Sequence, residues 1–491
     1  MKIIIIGAGL AGLSAGIYAR KAGYDVEIFE KNTYAGGLCT GWVRKGSYIE
    51  GCLHWLTESK KGKLFEIWNE IGALNESVKL YDCDSFYEVH YQDKTINMYT
   101  DINKLENELY RFATDHDKKI IKKFLKSIVK VQDSTNVPAE KPFHLWSMMD
   151  GIKYAMKSMP AIKVMKSYGN ISIVDFANQF ESEELRFFFK NALVPDCYNV
   201  SSNVVTLAGL VSKNSGIPEG GSKPFVDRIV QRYLDLGGQL HLNCEVNSIL
   251  IDNNEAKGIQ CSDGTIHEGD YIVGATDVHF LLDKLLNKQF EIKEIKNADL
   301  DKQNYETISL ISVIYRTNKD LSNVVSSSFY HTKEYDVLGK KFSCVGIKHY
   351  GYEPTLIHEG KTVIQINIIT NENMADQLIK MSQEEYQNFK SEISKKFKDI
   401  VINECGYTDD LEELDVVTPK TYINYVNAYK GSFMSYPMTA TNKQVMIMNN
   451  ALPIKNIMLA SQWQMMPGGT PVAVVQGKFA IQSIQNLESK K

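Results

Sequence analysis

Apolar positions along this chain follow two rhythms, unbroken β-branched runs and helical repeats of small apolar residues, and both occur at its start. Ile3 to Ile6 is an uninterrupted apolar run, the pattern of a strand buried on both faces of a parallel sheet. Leu13 to Ala22 has small apolar residues at helical spacing and stops at Gly23, and Asp25 to Phe29 predicts a second strand ending at Glu30. Further on, Tyr87 to Tyr99 alternates as strands do, and Asp117 to Val129 predicts a helix with an apolar stripe and a lysine face. A helix over Pro224 to Leu236, strands at Gln239–Leu242 and Glu245–Ile249, and hairpin turns at Asp252-Asn253-Asn254 and Asp263-Gly264 lead to a strand at Tyr271–Gly274. Asp299 to Pro419 predicts strands and one polar helix, Gln383 to Lys398. The chain closes with a buried strand at Ile457–Leu459 and a glycine turn. A helix then starts with Thr470 as N-cap and Pro471 at its first position and runs to Ile484.

Chemistry enters where the first strand meets the first helix. Gly7-Ala8-Gly9-Leu10-Ala11-Gly12 is a GxGxxG turn in strand–turn–helix context. There Gly7 permits the tight turn, Gly9 lets backbone approach a pyrophosphate, and Gly12 lets helix and strand pack closely, with the anion on the helix N-terminus. Glu30 stands where an acidic side chain accepts hydrogen bonds from an adenosine ribose. A carboxylate at that place disfavours a 2′-phosphate, so FAD or NAD is expected over NADP. Gly36-Gly37 offers a second close backbone approach to a diphosphate.

The run from Glu30 to Gly36-Gly37 resembles the E-x-x-x-x-x-G-G segment of the flavin amine oxidase superfamily. Leu38, where many members carry Arg, is more similar to the phytoene desaturase, carotenoid isomerase and retinol saturase branch. The resemblance implies FAD and leaves the pyrophosphate charge to Arg44, to a helix dipole or to solvent. It implies an α/β fold, a discontinuous Rossmann-type (GR2-like) FAD-binding domain at 1–73, 208–295 and 421–491. An α+β substrate domain is interleaved at 74–207 and 296–420. The implied cofactor contacts are Gly7, Ala8, Gly9, Leu10, Ala11, Gly12, Glu30, Lys31, Gly36, Gly37 and Leu38. Gly51 and Cys52 would lie along the flavin ring and Val246 would meet the adenine edge. Gln462 stands where relatives often have the Asp of a Gly-Asp pair, and Gly468, Gly469, Thr470, Pro471 and Val472 form the turn and helix start against the pyrimidine side. His54 would face the substrate as a proton donor or polar wall, or be a hydrogen-bonded core histidine.

Composition narrows this further. A net charge of -4 makes no case for nucleic acid. The eight cysteines lack C-x-x-C spacing, so neither a disulfide framework nor a zinc site is expected, and His331, His349 and His358 lack ligand spacing. No apolar run is long enough to span a bilayer and the opening isoleucines are too few for a signal peptide, so a cytoplasmic protein is expected. Between Pro142 and Tyr168, methionines and aromatic residues alternate with Lys153, Lys157, Lys163 and Lys166. That segment is expected either to contact a membrane surface or to wall an apolar cavity. The expected function is FAD-dependent desaturation, saturation or isomerisation of carbon–carbon bonds in an apolar polyene or isoprenoid-like substrate. A flavin amine oxidase and a non-catalytic lipid-binding protein on the same scaffold, like the GDP dissociation inhibitors, are the alternatives.

Overall fold

The computed structural model describes residues 1–132, 134, 137–192 and 194–491. Its centre is a five-stranded parallel sheet whose first strands are β1 (Lys2–Ile6) and β2 (Asp25–Phe29), joined by helix α1 (Leu10–Lys21). In spatial order the sheet runs Ile457–Leu459, Tyr271–Gly274, β1, β2, Gln239–His241, so three distant stretches of sequence build it. The isoleucine run explains this centrality. Ile3 and Ile5 enter a core with α1 and the C-terminal helix Gly469–Glu488, while Ile4 and Ile6 enter a core on the opposite face. That second core is closed by the antiparallel strands Val246–Asp252, Glu255–Cys261 and Ile266–Glu268, with turns where the sequence predicts them. The two helices approach closely, and Ser14 Oγ donates to Val474 O at 2.7 Å.

A second sheet has seven strands, in the order Glu412–Val417, Ser309–Thr317, Thr362–Thr370, Lys340–His349, Ser327–Val337, Ser85–Tyr91, Lys94–Tyr99. The two expected halves of the substrate region therefore share one sheet, joined by the parallel pairing of Ser328 with Glu88. The helices Glu372–Lys380 and Gln383–Asn403 cover one face. The first of these has no counterpart in the sequence-based expectation, because its nine residues are too few to set up a readable helical period. The other face looks inward across a cavity at the helices Met148–Tyr168 and Val200–Val211.

The last helix corrects one expectation. Gly468, not Thr470, is its N-cap, and Thr470 and Pro471 lie inside its first turn. Gly468 has φ +88°, a left-handed conformation that only glycine adopts freely, so the chain can turn into the helix two residues earlier than the Thr-Pro signature suggests.

Candidate functional site

The GxGxxG turn and the C-terminal glycine turn, far apart in sequence, line one cavity of about 1470 Å³. A single small-molecule site usually occupies about 300–1,000 Å³, so this volume accommodates a dinucleotide and a second ligand.

At one end the turn is built as the sequence implies. A side chain at Gly12 would meet Gly7 O at 2.0 Å, so helix and strand can close only over glycine. At Gly9 the nearest heavy atom to an added Cβ is Gly36 O, 4.0 Å away, and the two residues form a parallel bridge. Space over Gly9 is thus the opening of a cradle. The cradle is walled by Gly36, Gly37 and Leu38 and lies at the N-terminus of α1. Glu30 is buried; one carboxylate oxygen accepts the Ala8 N–H at 2.9 Å and the other accepts from Asn32 N and Nδ2. Three of the roughly four acceptor positions of a carboxylate are filled, which leaves one for a ribose hydroxyl. Lys31 borders the cavity, but its ammonium donates to Asn424 O and Asn427 Oδ1.

Arg44 does not face this cradle: it pairs with Asp415 at 3.0 Å on the far side of the Gly41–Arg44 hairpin strand. Beside Leu38, the positive ends of α1 and of Gly469–Glu488 are therefore the polarity aimed at the cavity. Gln462 also turns out to have a structural task. Its Oε1 accepts the Gly469 N–H at 2.9 Å and so closes the turn that starts the last helix, while the residue still lines the cavity.

Gly51 and Cys52 line the cavity through a buried carboxylate that the sequence reading passed over. Glu50 accepts the backbone N–H groups of Cys52, Leu53 and Ser222 at 2.8, 2.9 and 2.6 Å, and the Ser222 hydroxyl as well. This fastens the Gly51-Cys52 segment to the start of helix Ser222–Asp235. Replacing Glu50 with Ala removes the acceptor of the Cys52 N–H and of the Ser222 N–H and hydroxyl, while the Leu53 N–H keeps Ser222 Oγ at 3.0 Å. The expected cost is about 3 kcal/mol, read as a fall of several degrees in the thermal midpoint.

His54 turns its ring to the cavity, where Lys348 Nζ lies 2.6 Å from its Nδ1. The ring is open to the cavity rather than packed in a core, and enclosure by the surrounding walls, reinforced by the lysine charge, holds the imidazole well below its ordinary range. The neutral ring therefore accepts at Nδ1 and keeps its proton on Nε2. Burial also pulls Lys348 down to about 8, against the opposing attraction of Glu50. Lys348 stands on strand Lys340–His349 in register with Ser327 and Gln365, in the sheet that floors the cavity. Nothing in the sequence reading identified it; its signal is a lysine directly after the run Cys344–Ile347 and next to the fully buried His349.

A buried network borders the cavity beside the Ala275-Thr276 segment that packs on Gly7. Asp277 accepts from Trp463 Nε1 at 2.9 Å and from the Tyr429 N–H at 3.0 Å. His279 lies between Asp277 at 3.3 Å and Asp299 at 3.1 Å and stacks on Tyr429. Burial opposes its charge, but hydrogen bonds and attraction from both aspartates outweigh burial and lift it to about 9. A raised histidine pKa stabilises fully below its unfolded value of about 6.5 and ceases to stabilise as pH rises through the folded value. The stability gap between wild type and His279→Gln, of order 3 kcal/mol at low pH, is therefore expected to shrink between pH 6.5 and about 9 in thermal melts across that range.

The rest of the cavity is mostly apolar, with polar groups such as Asn191, Ser201, Thr206 and Asn367 interspersed. Phe86, Val205, Phe329, Ile369, Phe433 and Met438 contribute to its walls, and Tyr154, Ile162 and Met165 bring in one side of helix Met148–Tyr168. The same helix leaves Met148, Met149, Ile152, Met156 and Met159 exposed, Met148 at 81% and Met156 at 70%. The two alternatives for this segment are thus both available on one helix, cavity wall on one side and a greasy outer face on the other. Among the described residues no helix is long and apolar enough to cross a membrane, and no group of three or more potential metal ligands occurs.

With this geometry in place, comparison with known proteins identifies the class. The sequence pattern of the family described as flavin containing amine oxidoreductase matches residues 10–484, and the chain belongs to that family. It is a flavin-dependent oxidoreductase with FAD as its cofactor. Within the family, it is 25% identical over 293 residues to a lycopene-forming phytoene desaturase of Pseudescherichia vulneris, a match covering 58% of this chain and 57% of that protein. It is 23% identical to a 1-hydroxycarotenoid 3,4-desaturase of Flavobacterium sp. (strain P99-3) over 99% of this chain and all of the relative. Among solved structures, an oxidoreductase from Methanosarcina mazei shares the fold with a TM-score of 0.62 at 20% identity, covering 99% of this chain and 100% of that one.

Proposed function

We propose that this protein makes, removes or shifts carbon–carbon double bonds in an apolar polyene or isoprenoid chain. The observation that carries this reading is the mostly apolar cavity that continues from the glycine cradle, with His54 and Lys348 in contact in its lining. Relatives named for desaturating phytoene and a hydroxycarotenoid support it.

The residues proposed to hold the cofactor fit it. The space over Gly9 takes the pyrophosphate, Glu30 the ribose, and the Cys244–Val246 segment the adenosine end. Gly51 and Cys52 would border the ring, and the start of Gly469–Glu488 would present its positive dipole end to it. Bound there, FAD supplies two-electron hydride exchange with carbon. The protein's own part is to align the chain along the floor strands, to exclude water with aromatic and methionine walls, and to hold one proton on His54 Nε2 under control of Lys348.

Anaerobic mixing of the holoprotein with detergent-dispersed polyenes tests the reading. Bleaching of the flavin by a saturated-type substrate, or its recovery from the reduced state by an unsaturated one, is expected, with no response to primary or secondary amines. Bleaching by amines alone, with peroxide released in air, replaces this reading with amine oxidation. A purified protein that neither carries nor takes up FAD refutes it.

We further propose that the exposed face of Met148–Tyr168 rests on an anionic membrane from which the substrate enters. Lys153, Lys157, Lys163 and Lys166 flank the exposed methionines, so apolar groups can enter the acyl boundary while the ammonium groups stay with headgroups. Charge reversal of these four lysines is expected to weaken flotation with phosphatidylserine vesicles by at least about tenfold. An unchanged fraction on the vesicles would confine the helix to its cavity-wall role.

A further inference from the structure

Cys244 and Cys261 bring their sulfurs to 2.9 Å from one another at the adenosine end of the cavity. A disulfide has S–S of about 2.05 Å, so less than an ångström of closure separates this contact from a bond. The surrounding backbone is held on both sides of the pair by hydrogen bonds. Cys261 lies opposite Val246 in the antiparallel pair Val246–Asp252 and Glu255–Cys261, and the Ser262 N–H donates to Glu245 O at 2.8 Å. On its other side, Cys244 donates its N–H to Glu30 O at 2.8 Å, and Asn243 donates to Asn32 O at 3.0 Å. Cys244 is thus the joint between the strand end that carries the ribose-binding carboxylate and the hairpin that carries Val246. It borders the cavity, whereas Cys261 is buried.

We propose that Cys244 and Cys261 form a reversible disulfide that clamps the adenosine end of the cofactor groove. The pair divides the labour of exchange chemistry, with Cys244 as the accessible attacking thiol and Cys261 as the resolving one. Cys244, as thiolate, attacks a small-molecule disulfide such as glutathione disulfide and expels one glutathione thiolate. Cys261 then gives up its proton and attacks the Cys244 sulfur of the mixed disulfide, expelling the second. Two protein thiols and one glutathione disulfide become one protein disulfide and two glutathione thiols, so hydrogens and electrons balance. Burial, and then the neighbouring thiol, push Cys244 up to about 12, which makes the reaction slow at neutral pH and sets an assay time of hours. The bond fixes the Cys244–Val246 segment in the geometry it already has, and a pre-organised groove releases its ligand more slowly. This consequence, unlike the bond, rests on the proposed placing of the adenosine along Val246.

The test uses the holoprotein incubated at mildly alkaline pH with glutathione disulfide. Trypsin cuts after Lys257, so a bond joins the peptides Tyr233–Lys257 and Gly258–Lys284, each of which contains a single cysteine. The expected result is that linked pair, with a loss of two hydrogens (about 2 Da) reversed by dithiothreitol and absent in Cys261→Ser. FAD release on dilution should be at least about threefold slower for the oxidised protein than for the reduced one. Failure of the two peptides to link, or linkage of Cys244 to a different cysteine, overturns the disulfide. Linkage with an unchanged release rate overturns the clamp. A protein that holds no flavin in either state refutes the cofactor reading instead, and the peptide map still decides the disulfide.

Discussion

Gly9→Val is expected to give a folded protein that carries almost no FAD. The backbone at Gly9 has φ −70° and ψ 176°, an extended conformation open to any residue, and nothing lies closer than 4.0 Å to an added Cβ. Folding should therefore tolerate the valine, and the thermal midpoint of the apoprotein should be little changed. The branched side chain would occupy the space between Gly9 and the Gly36-Gly37 segment into which the diphosphate must come. A loss of at least about tenfold in affinity, equivalent to about 1.4 kcal/mol, is the minimum expected from losing close backbone contact with the diphosphate. Gly12→Ala is the contrasting variant. Its Cβ would meet Gly7 O at 2.0 Å, inside the protein itself, so it should lower stability as well as flavin content. Equilibrium dialysis against FAD, with thermal melts of the cofactor-free proteins, separates the two. If Gly9→Val retains wild-type flavin, the cradle has been assigned to the wrong turn.

These two glycines also mark what the sequence made legible. The turn between β1 and α1, with the acid at the end of β2, is local, and each residue's task follows from neighbours within one strand–helix–strand unit. The assembly of the parallel sheet from remote strands followed from the family resemblance: Ile3–Ile6 and Ile457–Leu459 are unbroken apolar runs, but Asp25–Phe29 and Gln239–His241 carry charged or polar residues and show no pairing partner by themselves. Lys348 was not legible, because its significance comes from register. Only the pairing of its strand with Ser327 on one side and Gln365 on the other sets it in the cavity floor opposite His54, itself nearly three hundred residues away. The same limit hid the contact of Cys244 with Cys261, which depends on the course of a hairpin. Arg44 shows the converse error. Its charge and nearness in sequence to the Gly36-Gly37 doublet made it one of three candidates for the phosphate charge, but it pairs with Asp415 and does not line the cavity. Gln462, set by the resemblance at the place of the Asp of a Gly-Asp pair, uses its Oε1 to accept the Gly469 N–H, a role that its position did not reveal.

Lys348→Met should be the most damaging change that leaves the cofactor in place. Methionine keeps the length and apolar stem of lysine, so the strand and its neighbours Ser327 and Gln365 retain their packing. What is lost is the donor to His54 Nδ1 and a charge that changes within the working pH range, since burial pulls Lys348 to about 8. Below that pH the ammonium holds His54 neutral with its proton on Nε2; above it the amine no longer imposes that state. A positioned proton group of this kind contributes about 10²–10⁴-fold, and a loss of about 100-fold in the anaerobic rate of the flavin half-reaction is expected. The wild-type rate should change with an apparent pKa near 8 that is missing in Lys348→Met, whereas His54→Ala should lower the rate without releasing flavin. Loss of the lysine alone or of the histidine alone should cost nearly as much as loss of both, because the two groups act on one proton. A double variant whose defect equals the sum of two large single defects, or a Lys348→Met profile that keeps its inflection, would remove the pair from the mechanism and leave both residues as polar wall.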